Sequence, residues 1–418
     1  MVQRGARSAR TGSWRGRAAL AATVAAWLSL TACSSGGDGS ATGASGTASS
    51  ADAGAGAKKA ACPTDSTAGG TAGGSPSASP AESAAGTPSG AQGGGGIGDL
   101  AAKTIKKSDT STSTVIDPTG AQITCATSGI TTTKDITYSS PVTDGKKSDL
   151  KLDIQVPTAT SGKKPLVVYV TGGRFSTAIR TANLSQRTYL ADQGYVVASV
   201  QYRTVNEGAT YKEGVADLKS AIRYLRANAD TYGIDAGNVA VWGQSAGGYL
   251  AAMAGVTNGD KSFDVGDNLD QSSEVQGVVD EFGPADLSRI AADFDSAAQK
   301  ANYTAGDAVA QWVYGPGTKK SVADRTSEVA AADPSTHINS RTAPFVLLHG
   351  SADNLVSPSQ TLDLHTALRA EGIDSTRYVL TDAGHGDLSF TGDTEASKPW
   401  STQETMGHIV DFLHKHLK

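Results

Sequence analysis

One serine lies in a sequence context that could make it a nucleophile. Ser245 is the central residue of a G-x-S-x-G pattern at 243–247, which follows the apolar run 239–242 and precedes a helical stretch. Glycines on both sides allow a sharp turn between strand and helix, and such a turn exposes the serine hydroxyl. The same pattern also occurs in ordinary strand-to-helix turns, so its meaning depends on the rest of the chain.

Two loops further along the chain carry the base and the acid that such a serine would need. A serine hydroxyl becomes a useful nucleophile only when a base accepts its proton and another group orients that base. His385 follows the predicted strand 376–380, and Asp353 follows the apolar run 345–348. Because ligands of parallel sheets bind where strands end, we expect His385, Asp353 and Ser245 to converge there as base, acid and nucleophile.

Other acidic residues and histidines compete for these roles. Asp280 and Asp286 come after the apolar run 275–279 and are the alternatives to Asp353. His349 ends a predicted strand, where a buried and hydrogen-bonded imidazole is expected. The other histidines fall on predicted helices or in an irregular stretch, and none stands on a strand-end loop as His385 does: His337, His365, His408, His414 and His416.

The loop 171–175 and residue Ala246 are the candidate donors for an oxyanion hole. Acyl transfer needs N–H groups that stabilise the negative charge developing on the carbonyl oxygen. One donor is expected to be the backbone N–H of Ala246, the residue after the nucleophile. We assign the second to the N–H of Gly173, in the loop that follows the apolar run 165–170. The alternative is that this loop is only a tight turn.

Short apolar runs alternate with longer helical stretches after residue 150. This alternation is typical of βαβ units and predicts an α/β fold with a mostly parallel central sheet and helices on both faces. The run 151–156 alternates apolar and polar residues, which predicts an exposed or edge strand. The predicted buried strands are 165–170, 195–200, 239–242, 275–279, 345–348 and 376–380, and the predicted helices include 184–193, 214–229 and 360–370.

These residues and runs resemble the α/β-hydrolase superfamily, in particular carboxylesterases related to hormone-sensitive lipase and to bimodular feruloyl esterases. The resemblance extends from about residue 150 to residue 418 and includes 199–203, 216–252, 278–287 and 343–360. The superfamily uses the same chain order of nucleophile, acid and base. The resemblance implies a serine carboxylesterase that needs no metal and no organic cofactor. It also implies structural roles for Tyr202, Arg203 and Asp217.

Two positions of the candidate oxyanion loop depart from the family pattern, which commonly begins His-Gly-Gly. Thr171 replaces the histidine, and Arg174 replaces a small residue. Arg174 either faces the acyl pocket and favours an anionic substrate, or it is exposed to solvent. The long segment 287–340 is either a small cap over the site or a surface excursion at the sheet edge.

The first residues of the chain resemble a bacterial lipoprotein signal. Five arginines and no acidic residue precede a short apolar run at 18–30, which is too short to span a bilayer. The run ends in Leu-Thr-Ala-Cys, so we expect removal of residues 1–32 and a lipid anchor at Cys33. That anchor would place the protein outside the cytoplasm, on the bacterial cell membrane. The alternative is an ordinary secretory signal.

Composition separates residues 33–132 from the rest of the chain. Of the 49 glycines, 18 lie between residues 34 and 98, and no Phe, Trp or Tyr occurs from 28 to 137. Such a stretch cannot bury enough apolar surface to offset the entropy lost on ordering. The prediction is therefore a disordered tether at 33–132 and an α/β-hydrolase domain at 133–418.

The charge and the remaining cysteines limit the partners and the compartment. The formal net charge is −5, and loss of the five signal arginines makes it −10. An acidic protein is a poor partner for nucleic acid, so small-molecule or polysaccharide esters are the expected substrates. Cys62 and Cys125 are compatible with a disulfide outside the cytosol or with two free thiols. No Cys/His spacing typical of a metal site occurs.

The leading functional prediction is a serine carboxylic-ester hydrolase that forms an acyl-enzyme on Ser245. The prolyl-oligopeptidase branch has similar strand-end motifs, so a serine peptidase is the second prediction. The third is a non-catalytic, surface-tethered binding protein that has kept the fold.

Overall fold

The computed structural model describes residues 58–64, 97–143, 145–158, 161–386 and 395–418. The predicted signal peptide, Cys33 and part of the predicted tether lie outside these residues. The described strands are β1 (Lys59–Ala61), β2 (Thr114–Ile116), β3 (Thr124–Ala126), β4 (Ile130–Ser139), β5 (Val142–Thr143), β6 (Lys146–Lys147), β7 (Leu150–Pro157), β8 (Lys164–Val170), β9 (Val196–Val200), β10 (Ile234–Gln244), β11 (Gly277–Glu281), β12 (Phe345–Gly350) and β13 (Ser375–Leu380).

Helices are present at the predicted ranges 184–193, 214–229 and 360–370, and three further α-helices lie within 287–340, for which the sequence predicts none. None of the helices in the described residues combines the length and the apolar character needed to cross a membrane. They are α1 (Ile97–Leu100), α2 (Leu184–Asp192), α3 (Tyr211–Ala227), α4 (Ala229–Tyr232), α5 (Ala246–Val256), α6 (Ser296–Asn302), α7 (Ala308–Tyr314), α8 (Ser327–Ala331), α9 (Ser359–Ala370) and α10 (Gln403–His416).

One nine-stranded sheet organises the described residues, in the order β2-β13-β12-β11-β10-β8-β9-β7-β4. The strands from β2 to β9 in this order run parallel, whereas β7 is antiparallel to both β9 and β4. The carboxyl ends of β8, β10, β12 and β13 therefore lie at one edge of the sheet. The predicted α/β fold with a mostly parallel sheet is confirmed.

Both faces of the sheet are covered by helices. Leu166 and Val168 of β8 belong to a core that includes residues of α3, α5 and α9, while Val167 and Tyr169 belong to a second core with residues of α2 and α10. Successive residues of a strand point to opposite faces, so a strand buried on both sides reads as a continuous apolar run.

Residues 97–132, which the sequence assigns to the tether, contribute strands and contacts to the folded domain. Strand β2 pairs with β13 at the sheet edge, and Ile105 forms an isolated bridge with Phe294. These segments are short, and their backbone groups form hydrogen bonds with the sheet edge and with a loop of the domain. They therefore need little apolar surface of their own, and composition alone does not reveal them.

Strand β7 is not at the edge of the sheet, contrary to the prediction for 151–156. Strand β4 covers it, and its polar residues Asp153 and Gln155 are buried. Asp153 accepts a hydrogen bond from Arg180, and Gln155 donates one to Thr188. Buried polar side chains with partners produce the same alternation as an exposed strand.

Residues 58–64 are joined to the domain by a covalent bond. Strand β1 pairs with β3, and Cys62 forms a disulfide with Cys125, with the two Cα atoms 4.8 Å apart. Of the two alternatives left open by the sequence, the structure contains the disulfide.

Candidate active site

The turn between β10 and α5 presents the side chain of Ser245. Ser245 has a φ of 54°, a conformation that non-glycine residues rarely adopt. A Cβ on Gly243 would lie 2.0 Å from the carbonyl oxygen of Gly247, and a Cβ on Gly247 would lie 2.0 Å from that of Val170. The turn is therefore possible only with glycine at both positions, as the sequence pattern predicts.

The structure brings together the three side chains predicted as nucleophile, base and acid. His385 Nε2 lies 2.9 Å from Ser245 Oγ, although the two residues are 140 positions apart in the chain. His385 Nδ1 lies 2.8 Å from Asp353 Oδ2. All three residues are buried. A serine hydroxyl, an imidazole and a carboxylate in this series can move a proton from the serine to the imidazole.

Asp353 is held as a carboxylate by hydrogen-bond donors on both of its oxygens. Its Oδ1 accepts hydrogen bonds from the backbone N–H groups of Leu355 and Val356, at 2.9 and 3.0 Å. Burial would raise the pKa of Asp353, but the imidazoles of His385 and His349 outweigh burial and hold the pKa well below its usual range. The Nε2 of His349 lies 3.2 Å from Oδ2 of Asp353.

The two alternative acids have other partners. Asp280 is buried beside the serine turn, where its Oδ1 accepts the N–H of Gly283 at 2.9 Å. Burial raises the pKa of Asp280 to about 7. Asp286 is paired with Arg325. Among the contacts of the described residues, neither carboxylate touches His385, so Asp353 is the acid in position to orient it.

Both predicted oxyanion donors line the cavity above Ser245. Gly173 has a φ of 131°, and a Cβ at this position would lie 2.3 Å from the carbonyl oxygen of Thr177. Ala246 is the first residue of α5, and the N–H of a first helical residue has no acceptor within its own helix. The apolar part of the cavity wall consists of Leu100, Phe175, Pro284, Ile290, Val309, Leu355 and Val356.

Helix α7 holds the oxyanion loop in an uncommon backbone conformation. Arg174 and Phe175 follow Gly173 with φ values of 51° and 60°. The guanidinium of Arg174 lies 2.7 Å from the carboxylate of Asp307, which precedes α7, and the ring of Phe175 stacks on Trp312 with centroids 4.8 Å apart. Arg174 lines the cavity, but its charge is matched by Asp307.

The three residues predicted to have structural roles, Tyr202, Arg203 and Asp217, do not line this cavity. Arg203 binds Asp217 with its backbone N–H and its guanidinium, and Tyr202 donates to the carbonyl of Thr171. Within the ranges that the structure describes, no group of three or more His, Cys, Asp or Glu side chains is placed to hold a metal ion.

Comparison with known proteins assigns the family. The sequence model of the BD-FAE family matches residues 152–368, which is just over half of the chain. The chain belongs to the BD-FAE family. It is 31% identical over 239 residues to the esterase LipC of Mycobacterium tuberculosis, covering 55% of this chain and 56% of LipC. This BD-FAE chain spans about half the length of the known sequence relatives that it matches.

Solved structures support the α/β-hydrolase fold of this BD-FAE protein. Esterase 2 of Thermogutta terrifontis, solved in a form phosphorylated by paraoxon, is 25% identical with a TM-score of 0.51, and the match covers 69% of this chain and 94% of that one. A carbohydrate esterase from gut microbiota is 24% identical with a TM-score of 0.56, covering 68% of this chain and 96% of that one. At this identity the second likeness concerns the fold alone.

Several residues of the site in this BD-FAE protein are not identified by the sequence, and three of them contact the acid, the oxyanion loop or the cavity directly. They are His349 beside the acid, Asp307 beside the oxyanion loop and Leu100 in the cavity wall. His349 was expected to be buried and hydrogen-bonded, which the structure confirms, and its position four residues before Asp353 was the available signal. The pairing of Arg174 with Asp307 spans 133 positions and has no local signal.

Proposed function

We propose that this protein is a serine carboxylic-ester hydrolase with Ser245 as nucleophile, His385 as general base and acid, and Asp353 as the group that orients His385. The proposal rests on one observation, the continuous series of contacts from Ser245 Oγ through both nitrogens of His385 to Asp353. Membership of the BD-FAE family and the similarity to known esterases support it.

The proposed reaction begins with attack of Ser245 Oγ on the ester carbonyl carbon while His385 Nε2 accepts the hydroxyl proton. The backbone N–H groups of Gly173 and Ala246 stabilise the resulting oxyanion. Protonated His385, stabilised by Asp353, then gives the proton to the alcohol oxygen as the C–O bond breaks. A water molecule then loses a proton to His385 and attacks the carbonyl carbon of the acyl-enzyme. The bond between that carbon and Ser245 Oγ breaks, His385 returns the proton to Oγ, and the carboxylic acid is released.

The proposed location is the outer side of the bacterial cell membrane, with a lipid anchor at Cys33 and small-molecule or polysaccharide esters as substrates. Support comes from the arginines, apolar run and cysteine of residues 1–33, all outside the described part of the chain. The disulfide between Cys62 and Cys125 agrees with an oxidising compartment outside the cytosol.

Labelling with a fluorophosphonate probe tests the proposed function directly. Wild-type protein is expected to take up one covalent label at Ser245, and Ser245→Ala is expected to lose the label and to lower kcat on p-nitrophenyl acetate by at least about 10⁴-fold. Ser327→Ala, at an exposed serine that begins α8, is the matched control and should keep both properties. A folded wild-type protein that is neither labelled nor active would overturn the proposal.

A further inference from the structure

A short segment on the N-terminal side of the central sheet strands in the sequence supplies part of the cavity wall. This segment, residues 100–106, is called the strap. Its Leu100 is buried and lines the cavity together with Ser245 and His385. Leu100 lies outside residues 152–368, the region matched by the BD-FAE family. The wall at this point is therefore formed by a segment outside the matched family region.

Hydrogen bonds fix the strap to the elements around the site. Asn302 Nδ2 donates to the carbonyl of Leu100 at 3.0 Å, and the N–H of Ala102 donates to the carbonyl of Asn354 at 2.9 Å. Asn354 is the residue after Asp353, so the strap is attached directly to the loop that carries the acid. The backbone N–H groups of Lys103 and Thr104 donate to the carboxylate of Asp295, and that of Lys106 donates to the carbonyl of Asp293.

The chemistry of the cavity wall indicates what it can hold. Leu100 faces a wall that is otherwise formed mostly by apolar side chains of the hydrolase domain, including Ile290 and Val309. Among the residues that line the cavity, Arg174 carries a permanent charge, and that charge is matched by Asp307. A cavity of this composition favours an aliphatic group over a charged one, because an aliphatic group needs no hydrogen-bond partner there.

We propose that Leu100 is a specificity-determining residue that limits the length of the aliphatic chain of the ester. The inference rests on the proposed function, because it concerns the same cavity. The chain in question belongs to the acyl side or the alcohol side of the scissile bond, and the two arms of the experiment distinguish them. Replacing Leu100 by alanine removes three carbon atoms from the wall and leaves room for a longer chain.

The test measures kcat/KM for two ester series on wild-type protein and on Leu100→Ala. The acyl arm uses p-nitrophenyl acetate, butyrate, hexanoate and octanoate, and the alcohol arm uses methyl, butyl and hexyl acetate. In Leu100→Ala, the ratio of kcat/KM for the longest chain to that for the shortest is expected to rise about tenfold in one arm, since each methylene in such a pocket changes discrimination by roughly tenfold or more.

Two further variants are needed. One controls for a general loss of stability, and the other enlarges residue 100 instead of shortening it. Ile116→Ala removes the same number of carbon atoms from β2, a strand outside the cavity lining, and should leave both ratios within twofold of wild type. Leu100→Phe should lower the ratio in the arm in which Leu100→Ala raises it, and it decides the question if the alanine variant does not fold.

The possible failures are distinguishable. If wild-type protein hydrolyses esters and is labelled at Ser245, but both Leu100 variants keep the wild-type ratios in both arms, the role of Leu100 is overturned and the proposed function stands. If folded wild-type protein is neither labelled nor active on any ester, both proposals are overturned.

Discussion

The tautomer of His349 follows from the residues around it. Arg377 Nε can only donate, and it donates to Thr361 Oγ1 at 3.0 Å. The hydroxyl of Thr361 is then available as a donor to Nδ1 of His349, at 3.0 Å. Nε2 of His349 faces the carbonyl oxygen of Val356 and the carboxylate of Asp353, which can only accept, so Nε2 carries a proton and Nδ1 accepts from Thr361. The N–H at Nε2 of His349 helps to keep Asp353 ionised and oriented toward His385.

Asp353→Asn is expected to lower kcat by about 10³- to 10⁴-fold, as loss of the orienting carboxylate does in other serine hydrolases. The side-chain amide of asparagine can donate to Nδ1 of His385, and this favours the tautomer whose Nε2 carries a proton and cannot accept one from Ser245. The measurement is kcat on p-nitrophenyl acetate at neutral pH, with thermal unfolding to show that the variant is folded.

The matched control for that variant is Asp286→Asn, which alters one of the two alternative acids. Asp286 is paired with Arg325 and not with His385, so kcat is expected to stay within a few-fold of wild type. An equal loss of activity in both variants, or a folded Asp353→Asn protein that keeps a tenth of the wild-type kcat, would contradict the assignment of the acid.

The roles of the residues at strand ends could be predicted because each residue follows a run that predicts a strand. Ser245, Asp353 and His385 all follow such runs, and parallel strands bring their carboxyl ends to one edge. Leu100 could not be predicted, because the contact that places it in the wall depends on Asn302, 202 positions away. Local composition says nothing about a contact between such distant segments.

At the scale of elements, helix α7 and the oxyanion loop act as one unit. Asp307 accepts the N–H of Ala310 with one carboxylate oxygen and the guanidinium of Arg174 with the other, at 2.8 and 2.7 Å. It therefore begins α7 and fixes the loop at the same time. The segment 287–340 thus contributes Ile290, Asn302 and Val309 to the cavity wall and also contacts the loop that carries Gly173, the proposed oxyanion donor.

Breaking the pair between Arg174 and Asp307 is expected to lower kcat about tenfold with little change in KM. The loop can then relax from its left-handed conformation, and a displaced oxyanion donor loses part of the stabilisation that it gives to the transition state. Asp307→Asn removes the charge but keeps an oxygen that can cap α7. Arg174→Ala removes the other partner, and the double variant should be no slower than either single variant.

The same variants test whether Arg174 favours an anionic substrate. Because Asp307 matches the charge of Arg174, the loss in Arg174→Ala is expected to be equal for neutral and carboxylated esters, measured as kcat/KM on matched pairs. A loss at least tenfold greater for the carboxylated esters would contradict the positioning role and favour direct recognition of an anionic group.

The elements of the central sheet differ in how well the sequence predicts them. Strands β8, β9, β11 and β12 are buried almost throughout, and their apolar runs predict them to within two residues at each end. Strand β10 begins five residues before its predicted run, because its first half is only partly buried. Strand β4 is largely exposed and rich in threonine, and β2 has three residues, so neither forms such a run. Both strands join the sheet through backbone hydrogen bonds that hydrophobic patterning does not register.

At the scale of the molecule, the disulfide closes a loop that contains the strap. Cys62 and Cys125 are 63 positions apart, and residues 100–106 lie between them. A cross-link stabilises mainly by restricting the unfolded chain, and a loop of this length gives about 4 kcal/mol in that model. The strap is held independently by its hydrogen bonds to Asp295, Asn302 and Asn354. Stability and activity should therefore respond differently to loss of the disulfide.

The paired substitution Cys62→Ser and Cys125→Ser is expected to lower the free energy of unfolding by up to about 4 kcal/mol. The same variant should keep kcat/KM within about twofold of wild type, because the contacts that hold the strap over the cavity remain. Urea unfolding and ester hydrolysis of the same preparation measure the two effects, and wild-type protein treated with a reductant should match the double variant in both. An unchanged urea midpoint would show that the cross-link does not restrict the unfolded chain. A double variant that is folded but has lost activity would show that the strap depends on the disulfide and not on its own hydrogen bonds.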